Sequence, residues 1–275
     1  MLDFHIHTTF SDGTDDLLTV IDKVKDYNYF SITDHDSIDS AKYISKNGLN
    51  LPNYVNGVEL STTDLGRSIH ILFYNYDVNS KVLNDVIDEI DLNRKDRLLE
   101  RINILKDNYK IDFKKEDIDY LLSLPNPTKP NIASVIVKYG YAIDVDQAIK
   151  DFLYHKLETK KISSEYVIRK LKDEKGILIL AHPLGGIGEK RVDSEQLIER
   201  LNRFIGYGIK GLECCYSMYN NYEQQFLLNL AKNNNLIISG GSDYHGKNKK
   251  VQLGTLSADN NKNYEYINLM DFIKR

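Results

Sequence analysis

Two histidines two residues apart, His5 and His7, stand in the opening run Asp-Phe-His-Ile-His-Thr-Thr-Phe-Ser-Asp-Gly (residues 3–13). They constrain this chain more than any other feature. Side chains at i and i+2 share a face only on a strand, where the side-chain period is two. The pair therefore grips one metal region if the segment is extended. Asp12 lies just beyond, in a Ser-Asp-Gly turn that swings a carboxylate back over the strand end. Imidazole beside a hard oxygen ligand suits zinc, manganese or iron.

The same logic recurs down the chain. Tyr29 to Thr33 reads as a short apolar strand running into Thr33-Asp34-His35-Asp36, and Tyr54 to Ser61 as a strand with Glu59 near its end. Ser68 to Tyr76 carries His70 among Ile69, Ile71, Leu72 and Phe73. Gly176 to Pro183 is a buried-strand run ending in His182, and Leu236 to Gly246 ends in Asp243 and His245. Helical periods separate these runs at Asp15 to Tyr27, Ile38 to Asn47, Ser194 to Phe204 and Tyr222 to Asn233, with Gly211 to Cys215 as a further strand. Alternating short apolar strands and helices predict an α/β fold with a mostly parallel sheet, closed or nearly closed into a barrel.

In such a barrel the carboxyl ends of the strands form one face, so polar residues recurring there predict a single converging site. Six of the seven histidines, all but His155, fall in or at the ends of these strands. A lone histidine is more often a satisfied core or surface residue, but six with carboxylates beside them point to metal. They exceed the three protein ligands of a catalytic zinc, which implies two or three divalent ions.

From Val86 to His155 the character changes to long charged helical patterns, which reads as a helical insertion (86–155) in a barrel formed by 1–85 and 156–275. Inside it, 125–133 holds three of the five prolines, a helix breaker that fixes a loop able to reach substrate. His155 and Lys156 are expected to face solvent.

The net charge of -4, from 36 basic and 40 acidic residues with signs interspersed, gives no basic field for duplex nucleic acid. The two cysteines, Cys214 and Cys215, are adjacent and cannot form an ordinary structural disulfide, so a reducing, cytoplasmic setting is expected. No apolar run reaches the roughly 18 residues of a membrane span, and no cleavable leader is expected.

These pieces resemble the polymerase and histidinol phosphatase (PHP) family of metal-dependent phosphoesterases. The resemblance rests on Asp3-Phe-His5-Ile-His7-Thr with Ser11-Asp12-Gly13, Thr33-Asp34-His35-Asp36, Gly57-Val58-Glu59, His70, Ala181-His182-Pro183 and Gly241-Ser242-Asp243-Tyr244-His245, in the family's order. It implies a distorted (β/α)7 barrel with a cluster of usually three metals. By this resemblance His5, His7, Asp12, His35, Glu59, His70, His182, Asp243 and His245 are expected to ligate manganese, iron or zinc. The insertion resembles the stand-alone branch acting on nucleotides, including nucleoside 3',5'-bisphosphates. Where that branch shows Arg-Pro-His, this chain has Lys129-Pro130-Asn131. Lys129 supplies charge without a bidentate fork, and Asn131 carries no proton.

The expected function is hydrolysis of a phosphate ester of a small metabolite, a nucleotide or ribose phosphate, by attack of a hydroxide bridging two ions. Asp34 and His182 are the candidates for handling protons, with Lys129, Asn131 and Arg191 as substrate contacts. Asp3 is expected to orient a ligand histidine, as outer carboxylates do. Rival readings are a histidinol-phosphate phosphatase, a cyclic-phosphate phosphodiesterase, and a non-catalytic module stiffened by metal. A nuclease has less support, because the chain lacks a basic aromatic track for single strands.

Overall fold

The computed structural model describes residues 1–125, 127–259 and 264–274. In chain order its elements are β1 (Leu2–Asp3), α1 (Leu17–Val24), β2 (Tyr29–Ile32), α2 (Asp39–Lys46), β3 (Tyr54–Asp64) and β4 (Arg67–Tyr74). Four helices follow, α3 (Lys81–Tyr109), α4 (Lys115–Ser123), α5 (Lys129–Lys138) and α6 (Val145–Phe152). The chain then returns to alternation with α7 (Ser164–Leu171), β5 (Ile177–Leu180), α8 (Ser194–Tyr207), β6 (Gly211–Tyr216), α9 (Asn221–Asn233), β7 (Ile237–Gly241) and α10 (Leu269–Ile273). It divides into two compact units, Met1–Ile87 with Ile162 onward, and Asp88–Lys161.

In the first unit seven strands form one sheet in the order β1 to β7. Across the seam, Phe4 N donates to Gly240 O at 3.1 Å, Asp243 N to His5 O at 2.8 Å and His7 N to Tyr244 O at 2.9 Å, so the sheet bends into a nearly closed barrel. Gly241 permits this closure: a Cβ there would stand 2.2 Å from that of His5. Pairing is parallel at β1–β2, β2–β3, β5–β6 and β6–β7, but β4 runs antiparallel to both neighbours. Leu65 and Gly66, both at positive φ, form the two-residue turn between β3 and β4 that reverses it.

Local chemistry explains the helices around the sheet. Asp16 caps α1 through Thr19 N at 2.8 Å, so the helix starts two residues later than its apolar period suggests, with Leu17, Val20 and Val24 buried. Asp193 caps α8, which ends at Gly208 with φ 131°. Asn220 and Glu223 cap α9 reciprocally. The strand β5, Ile-Leu-Ile-Leu, is apolar throughout, as a strand in a sheet covered on both faces requires.

The second unit has its own core, in which Leu98, Ile102, Leu105, Leu121, Ile132 and Ile136 pack together. Lys129 and Pro130 open α5 rather than lying in the expected loop. Pro130 sits in the first turn, where its missing N–H costs nothing. Asn126 of the proline segment lies outside the described residues. His155 was expected in solvent, but both its ring nitrogens are buried.

Candidate metal centre

The strand ends bring nine histidines and carboxylates to one place. Glu59, fully buried near the middle of β3, is the hub. Its Oε2 lies 3.0 Å from His5 Nε2, 3.1 Å from His7 Nε2 and 3.2 Å from His35 Nδ1. Its Oε1 lies 3.1 Å from His70 Nδ1 and 3.0 Å from His182 Nε2. Asp243 Oδ1 stands 3.6 Å, 3.4 Å and 3.4 Å from His5, His7 and His245. Asp12 approaches His245 Nε2 at 3.1 Å. His70 reaches the cluster from within a strand, not from its carboxyl end, because β4 is reversed and residue 70 pairs with Ser61.

Four overlapping groups can each hold an ion: His7, Asp12, His35 and His245; His5, His7, Glu59 and Asp243; His35, Glu59 and His70; and His70, His182 and Glu189. A tetrahedral ion with bonds of about 2.1 Å has ligand atoms about 3.4 Å apart, which matches these spacings. The hydrogen-bond accounting fits the same conclusion. His5 Nε2, His7 Nε2, His35 Nδ1, His245 Nε2 and Glu59 Oε2 are buried without a hydrogen-bond partner, though they face one another. Groups stranded so are costly unless a cation completes them. His182 and Asp243 also hold positive φ, 24° and 59°, a strain that proteins keep at functional positions.

Electrostatics divides the imidazoles. Burial disfavours charge on His5, but Glu59, Glu213 and Asp243 outweigh it and raise its pKa well above the ordinary value. Burial, with the neighbouring His7 and His70, holds His35 well below it despite Glu59 and Asp12. Burial resists ionisation of Glu59 too, yet the surrounding imidazoles keep its carboxyl well below the usual range. The site is built to hold charge of both signs.

Two supporting carboxylates escaped the sequence reading. Glu213, fully buried on β6, places Oε1 2.9 Å from His5 Nδ1 and accepts His182 N on Oε2 at 2.7 Å. The signal for it was a lone acid in the buried run Gly-Leu-Glu-Cys-Cys. Glu189 lies 3.1 Å from His182 Nδ1 and accepts Gly186 N at 2.8 Å; nothing in the sequence distinguished it. Each leaves the other ring nitrogen facing Glu59, as a carboxylate behind a metal-binding histidine does.

Other expected residues are used differently. Asp3 touches no histidine ring: it accepts His5 N, Ser242 N, Ser242 Oγ and Gly254 N, tying β1 to the turn after β7. Asp34 accepts Thr8 N at 2.7 Å, Ser11 Oγ at 2.8 Å, and the hydroxyls of Thr8 and Ser40, and belongs to none of the four groups. Arg191 donates to Gly185 O at 3.2 Å and to Glu223, so its guanidinium ties its loop to the first turn of α9. In the helical unit, Asn131 Oδ1 accepts Thr128 N and Oγ1 as a helix cap, while the Lys129 ammonium lies 4.3 Å from the Tyr154 ring centroid. Cys214 and Cys215 are buried and form no disulfide, and burial pushes both thiols up.

The fold is the PHP-type barrel, and the residues gathered in it form a cluster suited to divalent metal ions. No protein-family model matches the chain. Among curated proteins it is 26% identical over 266 residues to a 5'-3' exoribonuclease of Haemophilus influenzae, covering 92% of each chain. It is 23% identical over 264 residues to the phosphoribosyl 1,2-cyclic phosphate 1,2-diphosphodiesterase of Eggerthella lenta, covering 90% of this chain and 95% of that one. Among solved structures, a protein of Bifidobacterium adolescentis described as a metal-dependent phosphoesterase superposes with TM-score 0.70 at 24% identity, covering 94% and 93%. No helix among the described residues is long and apolar enough to cross a membrane.

Proposed function

We propose that this protein hydrolyses a phosphate ester of a small metabolite, a nucleotide or ribose phosphate, using two or three manganese, iron or zinc ions. The residues that would hold them are His5, His7, Asp12, His35, Glu59, His70, His182, Asp243 and His245. The observation that carries this reading is the Glu59 carboxylate, flanked by five imidazoles whose facing nitrogens largely lack other partners. When bound there, divalent ions supply Lewis acidity to phosphoryl oxygens and bring the pKa of water toward neutrality.

The chain's own residues hold this site in shape. His182 would act as a ligand through Nε2, which faces Glu59, with Glu189 beside Nδ1. Asp34 positions the Thr8–Ser11 turn that carries Asp12, instead of moving protons. Lys249, 2.7 Å from Asp243 Oδ2 and beside Gly186 and Ile187 at the mouth of the cluster, places a positive charge where a phosphoryl oxygen arrives. Lys129 remains the substrate contact assigned to the helical unit, since the Asn131 oxygen is taken up by the Thr128 cap. A reducing cytoplasm suits two buried cysteines that form no disulfide.

A second reading, a nucleotide at the end of an RNA strand, is favoured by the exoribonuclease likeness, which spans 92% of the chain. Both readings are tested with protein stripped and reloaded with manganese, iron or zinc. Substrates are nucleoside 5'-monophosphates, 3',5'-bisphosphates, cyclic ribose phosphates, histidinol phosphate and a 5'-phosphorylated oligoribonucleotide. Metal-dependent release of phosphate or nucleotide is expected, and shortening of the oligonucleotide from its 5' end selects the RNA reading. Silence across the panel with every metal overturns the proposal.

A further inference from the structure

Three donors on one side of the cluster form a triangle. Glu59 Oε1 lies 3.1 Å from His70 Nδ1 and 3.0 Å from His182 Nε2, and those two nitrogens are 3.2 Å apart. Ligand atoms on a tetrahedral ion stand about 3.4 Å apart, so the triangle is one face of a coordination shell that still lacks a donor. Both groups that contain His7 draw four residues, whereas here β3, β4 and the end of β5 supply three.

A fourth comes from the loop after His182. Glu189 Oε1 lies 3.6 Å from His70 Nδ1, and its Oε2 lies 3.1 Å from His182 Nδ1. A carboxylate that only oriented His182 needs one oxygen, at Nδ1; this one turns its second oxygen to His70. With Glu59, His35, His70, His182 and Asp243, it lines a cavity of about 30 Å³, which has room for an ion.

The loop is held so that Glu189 stays there. Gly186 N donates to Glu189 Oε2 at 2.8 Å. Tyr216, fully buried at the end of β6, accepts Ile187 N at 3.2 Å and donates to Asp243 Oδ2 at 2.8 Å, so one hydroxyl joins the loop to the cluster. Tyr219, also fully buried, accepts Leu184 N at 2.9 Å, and the Arg191 guanidinium lies 5.0 Å from its ring centroid.

We propose that Glu189 is a further metal ligand, outside the set expected from the sequence, and that it completes with Glu59, His70 and His182 the shell of one ion. The inference rests on the metal centre of the phosphoesterase reading above and deepens it. A second carboxylate on that ion moves the position's preference toward manganese and away from zinc. It also makes the order of the 183–191 loop depend on metal occupancy.

The test compares wild type, Glu189→Gln and Glu189→Asp, each stripped of metal and checked for folding by thermal melt. Bound manganese is counted by elemental analysis at buffered free metal, and cobalt(II) is titrated with its visible d–d bands recorded, since these report the ligands on the ion itself. Trypsin cleavage after the exposed Lys190 follows the loop with and without manganese. Glu189→Gln is expected to lose one equivalent of metal where the wild type is full. Its affinity for that equivalent should fall by more than the roughly 10–100-fold that a carboxylate behind a histidine contributes. The cobalt bands of that equivalent should change, and manganese should slow cleavage in the wild type but not in the variant. Glu189→Asp should keep part of the affinity, since it retains the charge on a shorter arm. Glutamine still accepts the His182 Nδ1–H bond, so a folded Glu189→Gln protein with wild-type stoichiometry and cobalt bands overturns the ligand role. An equal loss of every ion overturns it too. If metal binding depends on Glu189 while the reloaded protein hydrolyses none of the substrates named above, the phosphoesterase reading fails and the ligand assignment stands.

Discussion

Glu213 and His5 are separated by 208 residues in sequence, yet Oε1 of the one lies 2.9 Å from Nδ1 of the other. The second oxygen of Glu213 holds His182 N, so one buried acid orients two arms of the metal cluster. Replacing Glu213 by Gln keeps its size but removes the charge behind His5. Metal affinity is expected to fall about 10–100-fold, read by chelator competition and elemental analysis. Unaltered affinity in a folded variant would remove the positioning role.

Removing the ions should weaken the barrel. Its buried imidazole nitrogens and Glu59 Oε2 would lose the cations that complete them, and bound ligand contributes stability through mass action. Chelation is expected to lower Tm by about 5 °C or more, with recovery on adding back a divalent ion, as followed by calorimetry. A Tm indifferent to both treatments would contradict a metal centre.

Asp34 anchors one backbone N–H and three hydroxyls in a fully buried setting. Asp34→Ala leaves those donors without an acceptor, at a cost of about 3 kcal/mol in urea unfolding. Asp34→Asn should cost less, since one oxygen remains. A loss under about 0.5 kcal/mol would show that the turn holds itself.

Acid should loosen the helical unit through Asp117. Its carboxyl is held below the ordinary value by hydrogen bonds from Lys138 and Tyr139. A folded pKa lowered in this way contributes stability that is present above the unfolded value near pH 4. That contribution is lost as pH falls through the folded value. Asp117→Asn should therefore flatten the acid limb of the stability profile measured from pH 5 to 2, and a parallel profile in the variant would refute the linkage.

Asn131 stands where the nucleotide-directed branch shows histidine, and here its oxygen caps α5 through Thr128. Asn131→His should cost about 1 kcal/mol of stability by removing that acceptor. A gain in stability would show that the cap contributes nothing.

That histidines and carboxylates recur at strand ends and converge on one place was legible in the sequence, because strand period and apolar runs are written locally. His5 and His7 share a face by strand period, and His35, His182, Asp243 and His245 follow apolar runs that end as strands. The alternation of strands with helices announced the barrel for the same reason: apolar period reports what an element buries. Tertiary structure alone decided the rest. The reversal of β4 turns on two positive-φ residues, Leu65 and Gly66, and it carries His70 to the site from inside a strand. Glu213 behind His5 and Glu189 beside His70 depend on pairings between distant segments. Asp34 and Arg191 look like chemistry in the sequence, and only the fold showed which partners they already hold, Thr8, Ser11 and Ser40 for the one, Gly185 and Glu223 for the other.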